Sequence, residues 1–279
     1  MFSCIFMRFP GGLKKAFTTS YDDGVEQDIR LIEIMRKNGI KGTFNLNSGL
    51  FAAEGTVYPA GQIHRRLTEK QCAELYRGSD IEPAVHGYEH PFWSKLPAPC
   101  CVADVIDDRR ALEKLFGIPV RGAAYPYGAF SDAVTDILDK CGITYCRTTV
   151  STHAFTMPER PLTLHPTCHH DDPLLRELGE RFVNENPERD PALFYLWGHA
   201  YEFEMHDSWN VIEDFLAEIG GKSDIWYATN GEIIDYANAF KKLVFSADGH
   251  IVTNPTCTTL WFNDGRETYA VGGGETIRI

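Results

Sequence analysis

Two short motifs carry residues that could bind a metal ion and move a proton. Asp22 and Asp23 are adjacent and follow a strand-like segment, and His86 and His90 lie four residues apart after a second apolar segment. One carboxylate can bind a metal while its neighbour takes a proton, and imidazole nitrogen suits a borderline divalent ion. Together the two motifs predict a mononuclear metal hydrolase.

Each motif alone has a simpler explanation. Asp-Asp-Gly is common in turns and at helix starts, and two histidines four residues apart are often surface residues. Both motifs, however, lie where a predicted strand gives way to a loop. In strand-helix repeats such loops gather on one face of the fold, so we expect the two motifs to meet there.

The elements that must position these residues alternate along the chain. Apolar spacing predicts strands at 15–20, 42–47, 81–85, 120–124, 143–147, 193–197 and 225–228. Apolar spacing together with helix-start and helix-stop residues predicts helices at 25–37, 106–116, 208–219 and 231–241, and helices that begin at 68, 131 and 172. Thr68 and Gln71 are expected to form a capping box, and Ser131 is the expected cap of its helix. This alternation predicts an α/β fold with a parallel sheet or barrel covered by helices.

Near the end of the chain the alternation of strands and helices stops. From residue 243 the sequence has short extended runs separated by Asp248-Gly249 and Asp264-Gly265, which are hairpin-type dipeptides, and by a glycine triplet at 272–274. We predict a barrel over 1–241 and a small antiparallel β extension over 242–279 that packs on it.

Composition narrows the class of protein. The chain has 279 residues, 43% of them hydrophobic, which is enough for one large core. With 27 basic and 39 acidic residues its formal charge is -12, which argues against a nucleic-acid partner and favours a neutral or cationic substrate.

Membrane and export signals are not recognised in the sequence. No run reaches the roughly 18 apolar residues of a membrane helix, so no membrane partner is predicted. The first residues lack a basic leader and a cleavage site, and the eight cysteines include no C-x-x-C pair. We therefore expect a reduced, cytoplasmic protein.

At these motifs the chain resembles the polysaccharide deacetylase family, also called the NodB homology group or carbohydrate esterase family 4. The T-F-D-D-G motif of that family resembles 20–24, which implies that Asp22 is the catalytic base and Asp23 a metal ligand. The family's H-[ST]-x-x-H motif resembles 86–90, with glycine in its second position, which implies that His86 and His90 are metal ligands. The resemblance covers about 15–239. It implies a distorted (β/α) barrel and a divalent metal, zinc first, with cobalt, nickel or manganese as alternatives.

The third family motif, R-x-P-[YF]-G, is incomplete. The chain reads Ala-Tyr-Pro-Tyr-Gly over 124–128, so Ala124 stands where the family has an arginine that orients the base. Arg121 is three residues too early, and an odd offset on a strand points to the opposite face. Arg147 ends the next predicted strand and is the predicted substitute, with a plain surface arginine in a loop as the alternative.

The last family motif is an apolar strand that ends in a general-acid histidine, and the strand before His199 resembles it. The fourth motif is not recognisable, and a histidine-rich loop stands in its place. One of His165, His169 and His170 is expected in the site, and His169 is the candidate substrate contact.

The resemblance implies metal-assisted hydrolysis of an acetamide. Asp22 would take a proton from the attacking water, a backbone N–H near Tyr127 would help to stabilise the oxyanion, and His199 would protonate the departing amine. The predicted walls for a sugar ring are Tyr88, Trp93, Tyr127 and Trp197, although aromatic residues at such positions are as often simple packing.

Three functions remain open at this point. The first is a deacetylase of an N-acetylated sugar or oligosaccharide, a soluble one because no export signal is recognised. The second is a hydrolase of another small amide, such as a cyclic ureide or imide, because the missing arginine marks a divergent sequence. The third is a sugar-binding protein without catalysis. The presence of Asp22 argues against this function, since a binding protein needs no catalytic base.

Overall fold

A computed structural model describes residues 4–279. The strands are β1 Phe6–Arg8, β2 Lys15–Asp22, β3 Gly42–Leu46, β4 Ile81–Val85, β5 Gly122–Ala124, β6 Tyr145–Arg147, β7 Cys168–His169, β8 Ala192–Gly198, β9 Ile225–Tyr227, β10 Val244–Phe245, β11 Ile251–Thr253, β12 Leu260–Asn263, β13 Thr268–Val271 and β14 Thr276–Arg278. The helices are α1 Asp28–Lys37, α2 Glu69–Leu75, α3 Ala98–Phe116, α4 Asp132–Lys140, α5 Leu175–Asn184, α6 Ala200–Met205, α7 Trp209–Ile219 and α8 Asn230–Phe240.

Eight parallel strands form a sheet that curls into a half-barrel. Their order is β6-β5-β4-β3-β2-β8-β7, and β9 pairs with the first part of β2. The predicted α/β barrel of NodB type is thereby confirmed. Among the described residues, no helix combines the length and the apolar character needed to cross a bilayer.

Alternation along β2 separates the core from the site. Phe17 and Tyr21 pack in the main apolar core, which the helices cover. Side chains on the opposite, inner face are polar: Thr18 donates to Asn230 at 2.8 Å, and Ser20 accepts from Asn45 at 2.8 Å. Because side chains alternate along a strand, Asp22 follows Thr18 and Ser20 on this polar face, at the carboxyl end of β2.

Local capping explains several helix starts. Thr68 and Gln71 form the predicted capping box of α2, and the hydroxyl of Ser131 accepts the N–H of Val134 at the start of α4, as predicted. The third predicted helix begins earlier, at Ala98, because a proline in its first turn needs no N–H partner. The sequence did not predict α6, β1 or β7.

The C-terminal residues form two small antiparallel sheets. The hairpins at 248–249 and 264–265 join β10 to β11 and β12 to β13. After the glycine triplet, β14 returns to pair with β11, and Val252, Phe262 and Val271 form the buried centre. The N-terminal strand β1 pairs with β12, so residues from both ends of the chain build this unit.

Candidate active site

The carboxyl ends of four parallel strands bring the predicted residues together. Asp22 is the last residue of β2, Arg147 the last of β6, His86 comes directly after β4, and His199 directly after β8. In parallel α/β sheets ligands bind at this edge. The structure therefore places residues from four distant parts of the sequence in one site.

Asp23, His86 and His90 form a group that suits a divalent metal. Each offers a donor atom, and these atoms lie within 4.8 Å of one another. The Nδ1 of His86 is 2.9 Å from the carbonyl oxygen of Ala124, so Nδ1 carries the proton and Nε2 presents its lone pair. The Nε2 atoms of the two histidines are 3.2 Å apart.

Burial keeps both imidazoles neutral. It lowers the pKa of His86, and it lowers the pKa of His90 to about 4, with help from His86. Neutral imidazole is the form that binds a metal. Two neutral rings with converging Nε2 atoms beside a carboxylate therefore fit the predicted ion.

The carboxylate of Asp23 has two further partners that the sequence did not reveal. His64 Nε2 lies 3.2 Å from Oδ2, and Arg66 Nη2 lies 3.1 Å from Oδ1. Burial alone would raise the pKa of Asp23, but His64 and Arg66 outweigh it and hold that pKa well below its usual range. Asp23 is thus ionised, as a metal ligand must be. Its backbone φ of 85° lies in the left-handed region, which is costly for a residue other than glycine.

Asp22 and Arg147 form a buried ion pair. Nη2 of Arg147 donates to Oδ2 of Asp22, and their side chains are 0% and 3% exposed. Asn45 donates to the other oxygen at 2.8 Å. Burial would raise the pKa of Asp22, but Arg147, followed by His86 and then by His199, holds it below its ordinary value. Arg147 is therefore not a surface arginine.

The register of the sheet explains how Arg147 reaches this position. Ala124 on β5 pairs directly with Arg147 on β6. The guanidinium therefore comes from the neighbouring strand, at the same level as the residue that the family motif would supply. Its Cζ lies 4.3 Å from the ring centroid of Trp197, which supports it from one side. Arg121, by contrast, pairs with Asp235 on the surface.

His199 lies between Asp22 and Glu202. Its Nε2 is 3.8 Å from Oδ2 of Asp22, and its Nδ1 is 3.2 Å from Oε2 of Glu202. Burial would lower the pKa of His199, but Glu202 and Asp22 raise it above its ordinary value. His199 can therefore hold a proton to donate. The spacing of a capping box at the start of α6 was the one sequence signal for Glu202.

The aromatic residues separate into exposed and buried groups. Tyr127 is 57% exposed and stacks on Phe92 with a centroid distance of 3.8 Å, next to His90. Trp93 is buried and donates to Asp104 at 2.7 Å, so the prediction that it lines the cleft is wrong. Trp197 is only 8% exposed and contacts Arg147, so it offers little surface to a sugar ring.

Two of the three histidines of the loop 165–170 lie next to Glu202, beside the site. His169 Nε2 and His170 Nε2 lie 3.2 and 3.3 Å from Oε2 of Glu202. His165 Nδ1 instead lies 2.6 Å from the hydroxyl of Thr148. The sequence left open which of the three belongs to the site, and the structure brings in both His169 and His170.

The chain thus combines a curled parallel α/β sheet with a candidate metal site at the carboxyl edge of its strands. The sequence model of the polysaccharide deacetylase family matches residues 11–146, which is just under half of the chain.

Two solved structures with TM-scores above 0.5 share the fold. A candidate polysaccharide deacetylase from Mycobacterium smegmatis is 15% identical, with a TM-score of 0.57 over 86% of this chain and 96% of that one. The Xyl-CE4 domain of a multidomain xylanase from the hindgut metagenome of Trinervitermes trinervoides is 14% identical, with a TM-score of 0.52 over 81% and 92%. The Streptococcus pyogenes deacetylase PplD, in complex with acetate, is 20% identical, with a TM-score of 0.45 over 52% of this chain and 61% of that one, which is less than two thirds of its length. No curated protein sequence matches the chain.

Proposed function

We propose that this protein is a metal-dependent deacetylase that hydrolyses the N-acetyl group of a carbohydrate. One observation carries the proposal: the Asp22 carboxylate, paired with Arg147, lies 3.8 Å from His199, which is paired with Glu202, beside the metal-type donor set. The pKa of Asp22 lies below its ordinary value and that of His199 above it. A base and an acid separated in this way are what amide hydrolysis requires.

Asp23, His86 and His90 would hold the ion. When bound, a divalent metal supplies Lewis-acid polarisation of the amide carbonyl and of the attacking water. Zinc is our first choice because the donors are two imidazoles and a carboxylate.

The protein's own residues perform the proton transfers. Asp22, kept ionised by Arg147, accepts a proton from the attacking water. His199, kept protonated by Glu202 at its Nδ1, donates the proton on Nε2 to the leaving nitrogen so that the amine departs uncharged. The backbone N–H near Tyr127 is the proposed donor to the developing oxyanion.

The substrate class follows from the surface around the site. The stacked rings of Tyr127 and Phe92 lie beside His90 and are 57% and 45% exposed. Such a surface suits the apolar face of a pyranose ring. The formal charge of -12 disfavours a strongly anionic polymer.

A cytoplasmic location is part of the proposal. Five buried cysteines, none of which forms a disulfide, are in keeping with it: Cys72, Cys101, Cys141, Cys146 and Cys168.

Acetate release tests the proposal. The protein is stripped of metal, reconstituted with zinc, and incubated with N-acetylated chito-oligosaccharides of increasing length and, separately, with hydantoin as a cyclic ureide. We expect zinc-dependent acetate release from the oligosaccharides. Ring opening of hydantoin without acetate release would favour the other-amide alternative, and oligosaccharide binding without either reaction would favour a binding protein.

A further inference from the structure

A second cluster of metal-binding side chains lies beside the site described above. His169, His170, Asp171 and Glu202 each offer a donor atom, and these atoms lie within 4.8 Å of one another. Three of the residues come from β7 and the turn after it, and Glu202 comes from α6. The proton transfers proposed above use only Glu202 from this cluster.

Three of the distances within the cluster are close to those between two ligands of one zinc ion. Oε2 of Glu202 is 3.2 Å from Nε2 of His169 and 3.3 Å from Nε2 of His170, and Oδ1 of Asp171 is 3.4 Å from the same His170 atom. Charge-assisted N–H···O bonds are shorter, about 2.7–2.9 Å. Ligands about 2.0–2.1 Å from a tetrahedral zinc ion lie roughly 3.3 Å from one another.

The ring of His170 is the strongest sign of a ligand. Its side chain is 0% exposed, and within residues 4–279 Nδ1 has no hydrogen-bond partner. Nε2 lies 3.3 Å from Glu202 and 3.4 Å from Asp171, without the geometry of a good hydrogen bond. Tyr21 and Phe203 pack on the ring, with centroid distances of 5.7 and 4.0 Å, and fix its orientation. A buried polar group without a partner is costly. A metal ion at Nε2 would supply a partner for that nitrogen.

We propose that His169, His170, Asp171 and Glu202 bind a second divalent ion of the zinc class, separate from the ion at Asp23, His86 and His90. The proposal goes beyond the deacetylase function and does not depend on it. Two imidazoles and two carboxylates make up a four-donor nitrogen and oxygen set, which suits tetrahedral zinc.

The surroundings of the cluster support such a site. The side chains of His169 and Asp171 are 21% and 34% exposed, which gives the ion a route from solvent. His206 Nδ1 lies 3.1 Å from the second oxygen of Asp171 and would orient that carboxylate. One contact opposes the site: His169 Nδ1 accepts a 3.2 Å bond from the N–H of Asp171, which leaves the ring proton on Nε2. That proton must move to Nδ1, and this bond must break, before Nε2 can become a ligand.

Metal stoichiometry tests the proposal. The chelator-stripped chain is dialysed against zinc, and the bound metal is measured by mass spectrometry. We expect two equivalents for the wild type, one for His86→Ala, one for His170→Ala and none for the double variant. His250→Ala, a histidine change at the exposed β10–β11 hairpin, is the matched control and should retain two.

A second variant guards against loss of folding, because His170 is buried. Asp171→Asn keeps the shape of a part-exposed side chain, and it should weaken binding at the second centre at least about tenfold. The titration uses Co²⁺ in the His86→Ala background, where only the second centre remains and a tetrahedral ion gives visible absorption bands. No bound metal in His86→Ala, or unchanged stoichiometry and affinity in both His170→Ala and Asp171→Asn, would overturn the proposal. Activity is not measured, so these results stand apart from the deacetylase test.

Discussion

Replacing Arg147 by methionine would leave the Asp22 carboxylate buried without its cationic partner. Methionine is similar in length, so the packing against Trp197 is largely kept while the charge is removed. Both side chains of the pair are almost wholly buried, at 0% and 3% exposure. Removing one partner of a buried ion pair typically costs about 3–5 kcal/mol, because the other charge stays desolvated.

The pH dependence of this loss has a definite sign. In the wild type the pKa of Asp22 is held below its ordinary value. The ionised carboxylate therefore stabilises the fold at pH values above the unfolded-state pKa of about 3.9. This contribution is lost as the pH falls through the folded-state pKa. Without Arg147, burial, which is the largest influence on Asp22, would raise that pKa. The stability difference between wild type and variant should therefore be largest near neutral pH and shrink toward pH 4.

Urea unfolding at several pH values and the pH profile of acetate release measure both effects. We expect the acidic limb of the profile to move to higher pH, because the pKa of Asp22 rises when Arg147 is removed. We expect turnover to fall about 100-fold, because a displaced base is costly.

The matched control is Arg121→Met. In the wild type this arginine makes a surface pair with Asp235 and is 44% exposed. Such a pair contributes about 0–1 kcal/mol. Equal stability losses in the two variants, together with an unchanged pH profile, would refute the reasoning.

Three further changes test other parts of the site and its support. His199→Ala should reduce turnover about 10²–10⁴-fold while the zinc content stays unchanged, because a general acid is lost but no ligand. Glu202→Gln should move the alkaline limb of the pH-rate profile to lower pH, because Glu202 raises the pKa of His199 against the effect of burial, and an unmoved limb would speak against this role. Burial raises the pKa of Asp28 to about 7, so its protonated form stabilises the fold at low pH and this contribution is lost as the pH rises through about 7. Asp28→Asn should therefore gain stability relative to wild type between pH 5 and pH 8 in urea unfolding, and equal pH slopes would contradict that expectation.

The sequence allowed much of the site to be predicted because its residues follow strands. Polar residues at the ends of parallel strands converge on one edge, so Asp22, His86 and His199 could be placed together without coordinates. The same logic selected Arg147, since a parallel strand that ends beside the incomplete motif brings its last residue to the same level. The sheet register, with Ala124 opposite Arg147, gives the physical reason.

Other features depend on contacts that no local pattern encodes. His64 and Arg66 reach Asp23 from an irregular segment without periodicity. The burial of Trp197 depends on the position of Arg147 above its ring. The pairing of β1 with β12 joins opposite ends of the chain, and its short strands carry little alternation of their own.

The most direct test of the central claim is acetate release by wild type and Asp22→Asn, with the zinc content measured on the same samples. The account predicts equal zinc in both proteins, with acetate released from an N-acetylated oligosaccharide by the wild type and almost none released by the variant. Equal acetate release by both zinc-loaded proteins would contradict the assignment of Asp22 as the base. Loss of zinc from Asp22→Asn would contradict the division of roles between Asp22 and Asp23.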